Sequence, residues 1–179
     1  MLLSKIPCLD KGYVALLESS GTTKLLREIG EEFYGGTYPT SLEEIGTLTV
    51  AIKCPLFVQL YLSKFNLKVI NVDSTAIEYF RPNAGEVAAC DIHTSEIIAD
   101  DIARTADALI INPKAYQADG CERFMSQVNT PISVYTTLIV SGSYGEWCKM
   151  AFAVGVPKPI KTYTEACKQI IESEWHFNG

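Results

Sequence analysis

Hydrophobic and polar positions fall into short blocks along this chain. From Thr47 to Lys53 they alternate, placing Leu48, Val50 and Ile52 on one face and Thr47, Thr49 and Ala51 on the other. A period of two predicts a half-buried β-strand. Pro55 follows, and its missing N–H suits the first position of a helix. From Pro55 to Phe65 one stripe reads Phe57, Leu60, Tyr61 and Lys64, and the next reads Val58, Leu62 and Phe65. A helix apolar around so much of its girth is expected at the centre of the fold. Leu67 to Val72 has strand composition again.

Upstream, Gly12 to Leu17 suits either a short strand or a helix start, and Thr23 to Phe33 has helical spacing, stopped by Gly35-Gly36. Downstream, Thr94 to Ile111 predicts an amphipathic helix with Ile98, Ile102, Ala106 and Leu109 as its buried stripe and Asn112-Pro113 as its end. Tyr116 to Val128 reads as helix, Ile132 to Val140 as strand, and Gly145 to Ala153 as a short helix. Gly142 to Gly145 and Pro157 with Pro159 read as loops. Tyr163, Ala166, Cys167, Ile170, Ile171 and Trp175 predict a final helix. With no repeat and no linker-like stretch, the 179 residues predict one α+β domain.

Composition narrows the function classes. Apolar residues make up 47% and charged residues 20%, which suits a globular core and excludes disorder. No apolar run reaches the roughly 18–20 residues of a membrane span. The opening residues lack the pattern of a signal peptide, which predicts a cytoplasmic protein. The net charge of −6, with arginines only at 27, 81, 104 and 123, excludes a cationic groove for duplex nucleic acid. A small phosphorylated ligand needs only one or two cations. The six cysteines are scattered and the two histidines lie far apart, so no metal site is expected and the thiols read as buried or inert. The acidic pairs Glu43-Glu44 and Asp100-Asp101 read as solvated faces, and His93 as a surface or capping group.

No catalytic triad, dinucleotide fingerprint or phosphate loop is present. The order of four segments carries more. They are Leu9 to Leu16; Thr40-Ser41-Leu42-Glu43-Glu44; Ile52-Lys53-Cys54-Pro55-Leu56-Phe57-Val58; and Leu138 to Gly142 continuing through Glu146-Trp147-Cys148-Lys149. In this order they resemble the flavin-dependent thymidylate synthases. The resemblance implies a small twisted, mainly antiparallel sheet flanked by helices, a homotetramer with ligand sites between subunits, FAD as cofactor, and methylene transfer to C5 of dUMP.

The family's signature, R-H-R-x-x-S-x-N-E-x-S-x-R, aligns with Lys64 to Ala76. Of eight specified positions only Asn71 and Ser74 match. Lys64 keeps the charge of the first Arg, Phe65 replaces the His, Asn66 the second Arg, Val69 a Ser, Val72 the Glu and Ala76 the last Arg. Lys149 stands for a further Arg. An Arg fork grips phosphate bidentately, which Asn and Ala cannot do. Glu78 to Pro82 resembles the family's next segment but arrives early, so the site is expected to have a different shape.

The loss of these ligands predicts that the standard reaction is absent or weak. If a pocket is rebuilt for a pyrimidine nucleotide, the resemblance implies Lys64, Asn66, Asn71, Asp73, Ser74, Arg81, Lys149 and Ser41 as its polar groups. Lys64 would meet a phosphate, and Asn66 or Asn71 a base edge. Turn and strand roles are the plain alternatives for Asn71, Asp73 and Ser74. No catalytic residue is assigned. Two other functions stay open at this point: altered C5-pyrimidine chemistry, as in phage DNA modification, and a non-catalytic role with a protein partner.

Overall fold

The computed structural model describes residues 4–21, 46–72, 78–87, 91–118 (109–118 as backbone only) and 132–175. The predicted helix Thr23–Phe33, the Gly35-Gly36 stop, Glu43-Glu44 and most of the predicted helix Tyr116–Val128 lie outside them. The strands are β1 (Lys5–Cys8), β2 (Gly12–Ser20), β3 (Thr47–Pro55), β4 (Lys68–Val72) and β5 (Tyr135–Ser143). The helices are α1 (Leu56–Leu62), α2 (Ala84–Val87), α3 (Ile92–Ala118), α4 (Tyr144–Ala151) and α5 (Lys158–Glu174).

The five strands form one antiparallel sheet in the order β1-β2-β3-β5-β4. This is the α+β architecture expected, an antiparallel sheet with helices beside it. Alternation decides which face is core. Leu48, Val50, Ile52 and Cys54 of β3 and Leu138 and Val140 of β5 are buried, as is Val14 of β2. Helix α5 covers them with Tyr163, Ala166, Cys167, Ile170 and Ile171. Helix α4 adds Trp147 and Met150, and α1 adds Val58, Tyr61 and Leu62. The indole of Trp147 donates to the Leu48 carbonyl at 2.9 Å, so its one polar atom is satisfied inside the core.

A tight turn joins β1 to β2. Leu9 takes φ 53°, a left-handed conformation that costs a non-glycine residue roughly 1–2 kcal/mol. The chain then passes Gly12, where a Cβ would fall on the Tyr163 hydroxyl and lie 2.6 Å from the Cys8 carbonyl and 2.8 Å from that of Lys53. Only glycine lets α5 sit this close.

The far end of the sheet is clasped from α5. The Trp175 indole donates to the Gly21 carbonyl at 2.8 Å and packs edge-on against Tyr144 with ring centroids 4.7 Å apart. The Tyr144 N–H donates to the Gly46 carbonyl at 2.7 Å, and Ser19 Oγ donates to the Glu174 carboxylate. Both residues flanking segment 22–45 are thus held at one junction.

Several boundaries differ from the sequence reading. Pro55 ends β3 and serves as N-cap of α1. α1 is buried on the side of Val58, Tyr61 and Leu62, while Leu60 is 60% exposed, so the helix is not buried all round. Pro159 lies in the first turn of α5, where a missing N–H costs nothing, so the expected loop ends at Pro157. β5 runs through Gly142 and Ser143, and α4 starts at Tyr144. α3 continues through Pro113 to Ala118, because a proline removes one hydrogen bond from a helix with intact turns on either side. Asp91 caps α3, accepting from the Thr94 N–H and hydroxyl at 2.8 Å each. The buried face of α3 is Ser95, Ala99 and Ala106, whereas Ile98 and Ile102 are 37% and 38% exposed. Ala106 of the expected stripe is thus buried, its two isoleucines lie at the margin, and the Leu109 side chain lies outside the described residues.

Candidate functional site

The chain leaves α1 through Ser63 and Lys64 and meets the start of α4. Lys64 is exposed, its ammonium 5.3 Å from the Tyr61 ring centre. The Asn66 N–H donates to Glu146 Oε2 at 3.0 Å, and Lys149 Nζ donates to Glu146 Oε1 at 2.5 Å. Ser143 Oγ accepts from the Glu146 N–H at 3.4 Å, one half of a capping box. Glu146 thus has both carboxylate oxygens engaged. The Lys149 bond first, and the Asn66 N–H second, hold its pKa below the ordinary carboxylate value. Asn66 and Lys149 are therefore brought to one corner, with Glu146 as its hub, while Lys64, two residues before Asn66, lies against the Tyr61 ring. Glu146 is not among the expected site residues, although Ser143-Tyr144-Gly145-Glu146 carries the S-x-x-E signal that could have marked it.

The remaining expected site residues do not join that hub. Arg81 pairs with Asp107 and so ties the segment before α2 to α3. Asn71 is exposed on β4 at the sheet edge, opposite Leu138. Asp73, Ser74 and Ser41 lie outside the described residues. A cleft of about 450 Å³ runs between α1 and the α4–α5 connection, walled by Phe57, Leu60, Tyr61, Val156 and Ile160 with Lys64 at its side.

A second polar constellation sits at the β1–β2 turn end of the sheet. Register places Tyr13 of β2, Lys53 of β3, Thr137 of β5 and Val72 of β4 in one cross-strand row. This row is on the face opposite Ile52 and Leu138, because neighbouring strand residues point to opposite faces. Lys53 is ion-paired with Glu78, and its Nζ lies 5.7 Å from the Tyr135 ring centre. Glu78 is fixed by its backbone, since its carbonyl accepts from the Tyr135 N–H at 2.7 Å. The Tyr135 hydroxyl donates to Asp10 Oδ1 at 2.6 Å, and the Tyr163 hydroxyl donates to the Lys53 carbonyl at 3.1 Å. Burial and then the Asp10 carboxylate push the Tyr135 phenol well above the ordinary value, and burial does the same for Tyr163. Both therefore stay protonated donors. The sequence pattern places Lys53 in its strand without marking it as a site. The one sign is a charge continuing the Thr47, Thr49 and Ala51 face.

The thiols match the expectation where they are described. Cys8, Cys54 and Cys167 are buried and free, and Cys148 is half-buried. Burial pushes the Cys8 thiol up to about 12 and those of Cys54 and Cys167 higher. Among the described residues no group of three His, Cys, Asp or Glu side chains could hold a metal ion. No helix among them is long and apolar enough to cross a membrane.

The fold matches a crystal structure of a UMP/dUMP methylase, PolB, from Streptomyces cacaoi, bound with 5-Br dUMP. The TM-score is 0.73 at 12% identity, over 95% of this chain and 93% of the other. At that identity the likeness establishes the fold. No family model matches the chain. No curated protein matches it either.

The flavin implied by the family resemblance can be tested against the residues present. A flavin pyrophosphate needs several well-aimed donors. At the aligned positions, the Asn66 N–H is spent on Glu146, Val69 packs against the core, and Val72 is an exposed hydrocarbon. Lys64 and Lys149 offer charges, as points and not forks, and Lys149 is already bound to Glu146. These residues do not fit the flavin, and no step is derived through it.

Proposed function

We propose that this chain is a diverged relative of the flavin-dependent thymidylate synthases that binds a pyrimidine nucleotide, with FAD-dependent methylation of dUMP absent or very weak. The observation that carries the reading is the fold shared with PolB over nearly the whole of both chains. PolB is described as acting on UMP and dUMP, and its crystal holds a brominated dUMP. The missing arginine forks and the spent Asn66 N–H support the loss of the standard reaction, because transition-state contacts of that kind are not replaced by apolar groups.

The nucleotide phosphate would meet Lys64, with Lys149 beside it. Asn66, Asn71, Asp73, Ser74, Arg81 and Ser41 are the further polar groups proposed for the ligand. The assembly proposed is a homo-oligomer, a tetramer as in the resembling family, formed through apolar side chains the single chain leaves exposed. Leu60 at 60%, Ile97 at 50% and Ile70 at 49% are among them. A non-catalytic interaction protein is the second reading, and it rests on the same exposed side chains.

A native mass spectrum of the purified protein, followed by calorimetric titration with UMP and dUMP, tests the reading. A tetramer that binds either nucleotide supports it. A species that binds neither, with no rise in melting temperature at millimolar nucleotide, favours the interaction protein. Thymidylate formed from dUMP, methylene-tetrahydrofolate, NADPH and FAD would overturn the proposed loss of activity.

A further inference from the structure

The cleft between α1 and the α4–α5 connection has polar groups that the fold leaves unengaged. Its volume of about 450 Å³ is within the range of small-molecule sites. Among the described residues Lys64 is the one charged side chain in its lining, and no carboxylate faces it there. Lys64 makes no ion pair among those residues, and its ammonium rests against the Tyr61 ring. Tyr61 is only 9% exposed, yet its hydroxyl has no hydrogen-bond partner among the described residues.

The same cleft has hydrocarbon to cover. Phe57, Val156 and Ile160 are half-buried along its walls, while Leu60 and Val154 at its rim are 60% and 99% exposed. The walls are set before any ligand arrives. Phe57 packs edge-on against Phe80 with ring centroids 5.7 Å apart, and Tyr61 against Phe65 at 5.4 Å. The N–H groups of Leu56 and Phe57 donate to the Val134 and Ile132 carbonyls at 3.0 Å each, which fixes the start of α1. On the other side Gly155, at φ 73°, has open space where a Cβ would stand.

These groups select a ligand by chemistry. An ammonium with no acid beside it favours a single negative charge, and the phenol hydroxyl adds a second donor. Hydrocarbon walls favour an apolar body. They disfavour a nucleobase, whose edge groups would be left unpaired against them. We propose that this cleft binds a small aliphatic carboxylic acid. Its carboxylate meets Lys64 and Tyr61, and its chain lies along Phe57, Leu60, Val156 and Ile160. The inference does not rest on the nucleotide reading. Both place an anion on Lys64, so the acid and the nucleotide exclude one another there.

Calorimetric titration of the full chain with octanoate, and with 1-octanol as its uncharged counterpart, tests the proposal. Wild-type protein is expected to bind octanoate saturably at millimolar concentration, and 1-octanol about tenfold or more weakly, the size of a hydrogen bond to a charged group. Hexanoate is expected to bind about tenfold more weakly than octanoate, since each buried methylene is worth roughly fourfold. Lys64→Met is expected to bring octanoate and 1-octanol to equal affinity, and Tyr61→Phe to weaken octanoate about threefold or more. Leu60→Gln is expected to flatten the dependence on chain length. Melting curves check that each variant is folded. If wild-type protein binds octanoate no better than 1-octanol, or Lys64→Met keeps the preference, the proposal falls. If no acid binds and Leu60→Gln instead breaks an oligomer, a second copy of the chain covers the cleft and the proposal falls. Octanoate binding by a protein that binds no pyrimidine nucleotide leaves this inference standing while the nucleotide reading falls, and nucleotide binding without octanoate binding does the reverse.

Discussion

Replacing Gly12 by alanine tests how closely α5 is seated on the sheet. The added methyl would land on the Tyr163 hydroxyl and press on two backbone carbonyls, of Cys8 at 2.6 Å and Lys53 at 2.8 Å. Carbonyls in a paired sheet cannot rotate away as a side-chain tip can. Forcing a methyl into a packed site costs typically 1–3 kcal/mol. Displacing the Tyr163 hydroxyl from the Lys53 carbonyl adds about 1 kcal/mol. Gly12→Ala is therefore expected to lose about 2–4 kcal/mol, a fall in melting temperature of roughly 5–15 °C for a chain of this size. Urea unfolding followed by tryptophan fluorescence measures it as a lower midpoint at unchanged slope. Tyr163→Phe alone is expected to cost about 1 kcal/mol. In the double variant the hydroxyl clash disappears and the carbonyl contacts remain, so the combined loss should fall short of the sum by about 1 kcal/mol. A Gly12→Ala protein within about 0.5 kcal/mol of wild type would refute the packing argument, and strict additivity would refute the part assigned to the hydroxyl.

Three further outcomes are expected. Trp147→Phe keeps an aromatic ring but leaves the Leu48 carbonyl without its indole donor and leaves a void, so it should cost about 2 kcal/mol in urea unfolding; a loss below about 0.5 kcal/mol would contradict the buried bond. Glu146 has its folded pKa shifted below the ordinary value of 4.5, so its contribution to stability is present above that pH and is lost as the pH falls through the folded value. Glu146→Gln should accordingly be less stable at pH 7 and lose less on acidification, and parallel stability–pH curves for the two proteins would show the carboxylate contributes nothing. Cys8, Cys54 and Cys167 should resist iodoacetamide at pH 8 in native protein and react in urea, as read by peptide mass; labelling of any of them within minutes in native protein would mean the core opens readily.

The parts of the fold that can be read from sequence are those where one face decides everything. β3 is readable because Leu48, Val50 and Ile52 alternate with Thr47, Thr49 and Ala51, and each of the first three is 1% exposed or less. α5 is readable because its six spaced residues all reach the core. β1 escapes notice because four residues with Pro7 among them carry no period, and an edge strand tolerates proline. α3 is read in part: Ala106 of the expected stripe is buried, but Pro113 looks like a stop and is not one, and bulk suggests burial at Ile98 and Ile102 where Ser95 and Ala99 are buried instead. The Lys53–Glu78 pair is unreadable for a different reason. It depends on the Tyr79–Val134 bridge and the Tyr135 N–H, which join residues far apart in the chain, and nothing local marks them. Lys64, Asn66 and Lys149 are marked by resemblance, yet Glu146, the partner that Asn66 and Lys149 share, emerges only where the chain after α1 meets the start of α4.

The Trp175 clasp sets an order of events during synthesis. β3 leaves the ribosome long before β5, its neighbour on one side, and Trp175 follows later still. Until β5 and α5 are out, the side chains of Leu48, Val50 and Ile52 lack β5 and their helical cover, and the β2–β3 pairing at Ser20 and Thr47 holds Gly21 near Gly46 without the Trp175 clasp. The nascent sheet must therefore wait, and a strand with that face uncovered is a target for chaperones and for self-association. Pairings this distant in sequence also close slowly, since the loop entropy is met before any contact repays it. A chain halted before Tyr135 is expected to remain protease-sensitive, and one carried past Trp175 to become resistant in a single step.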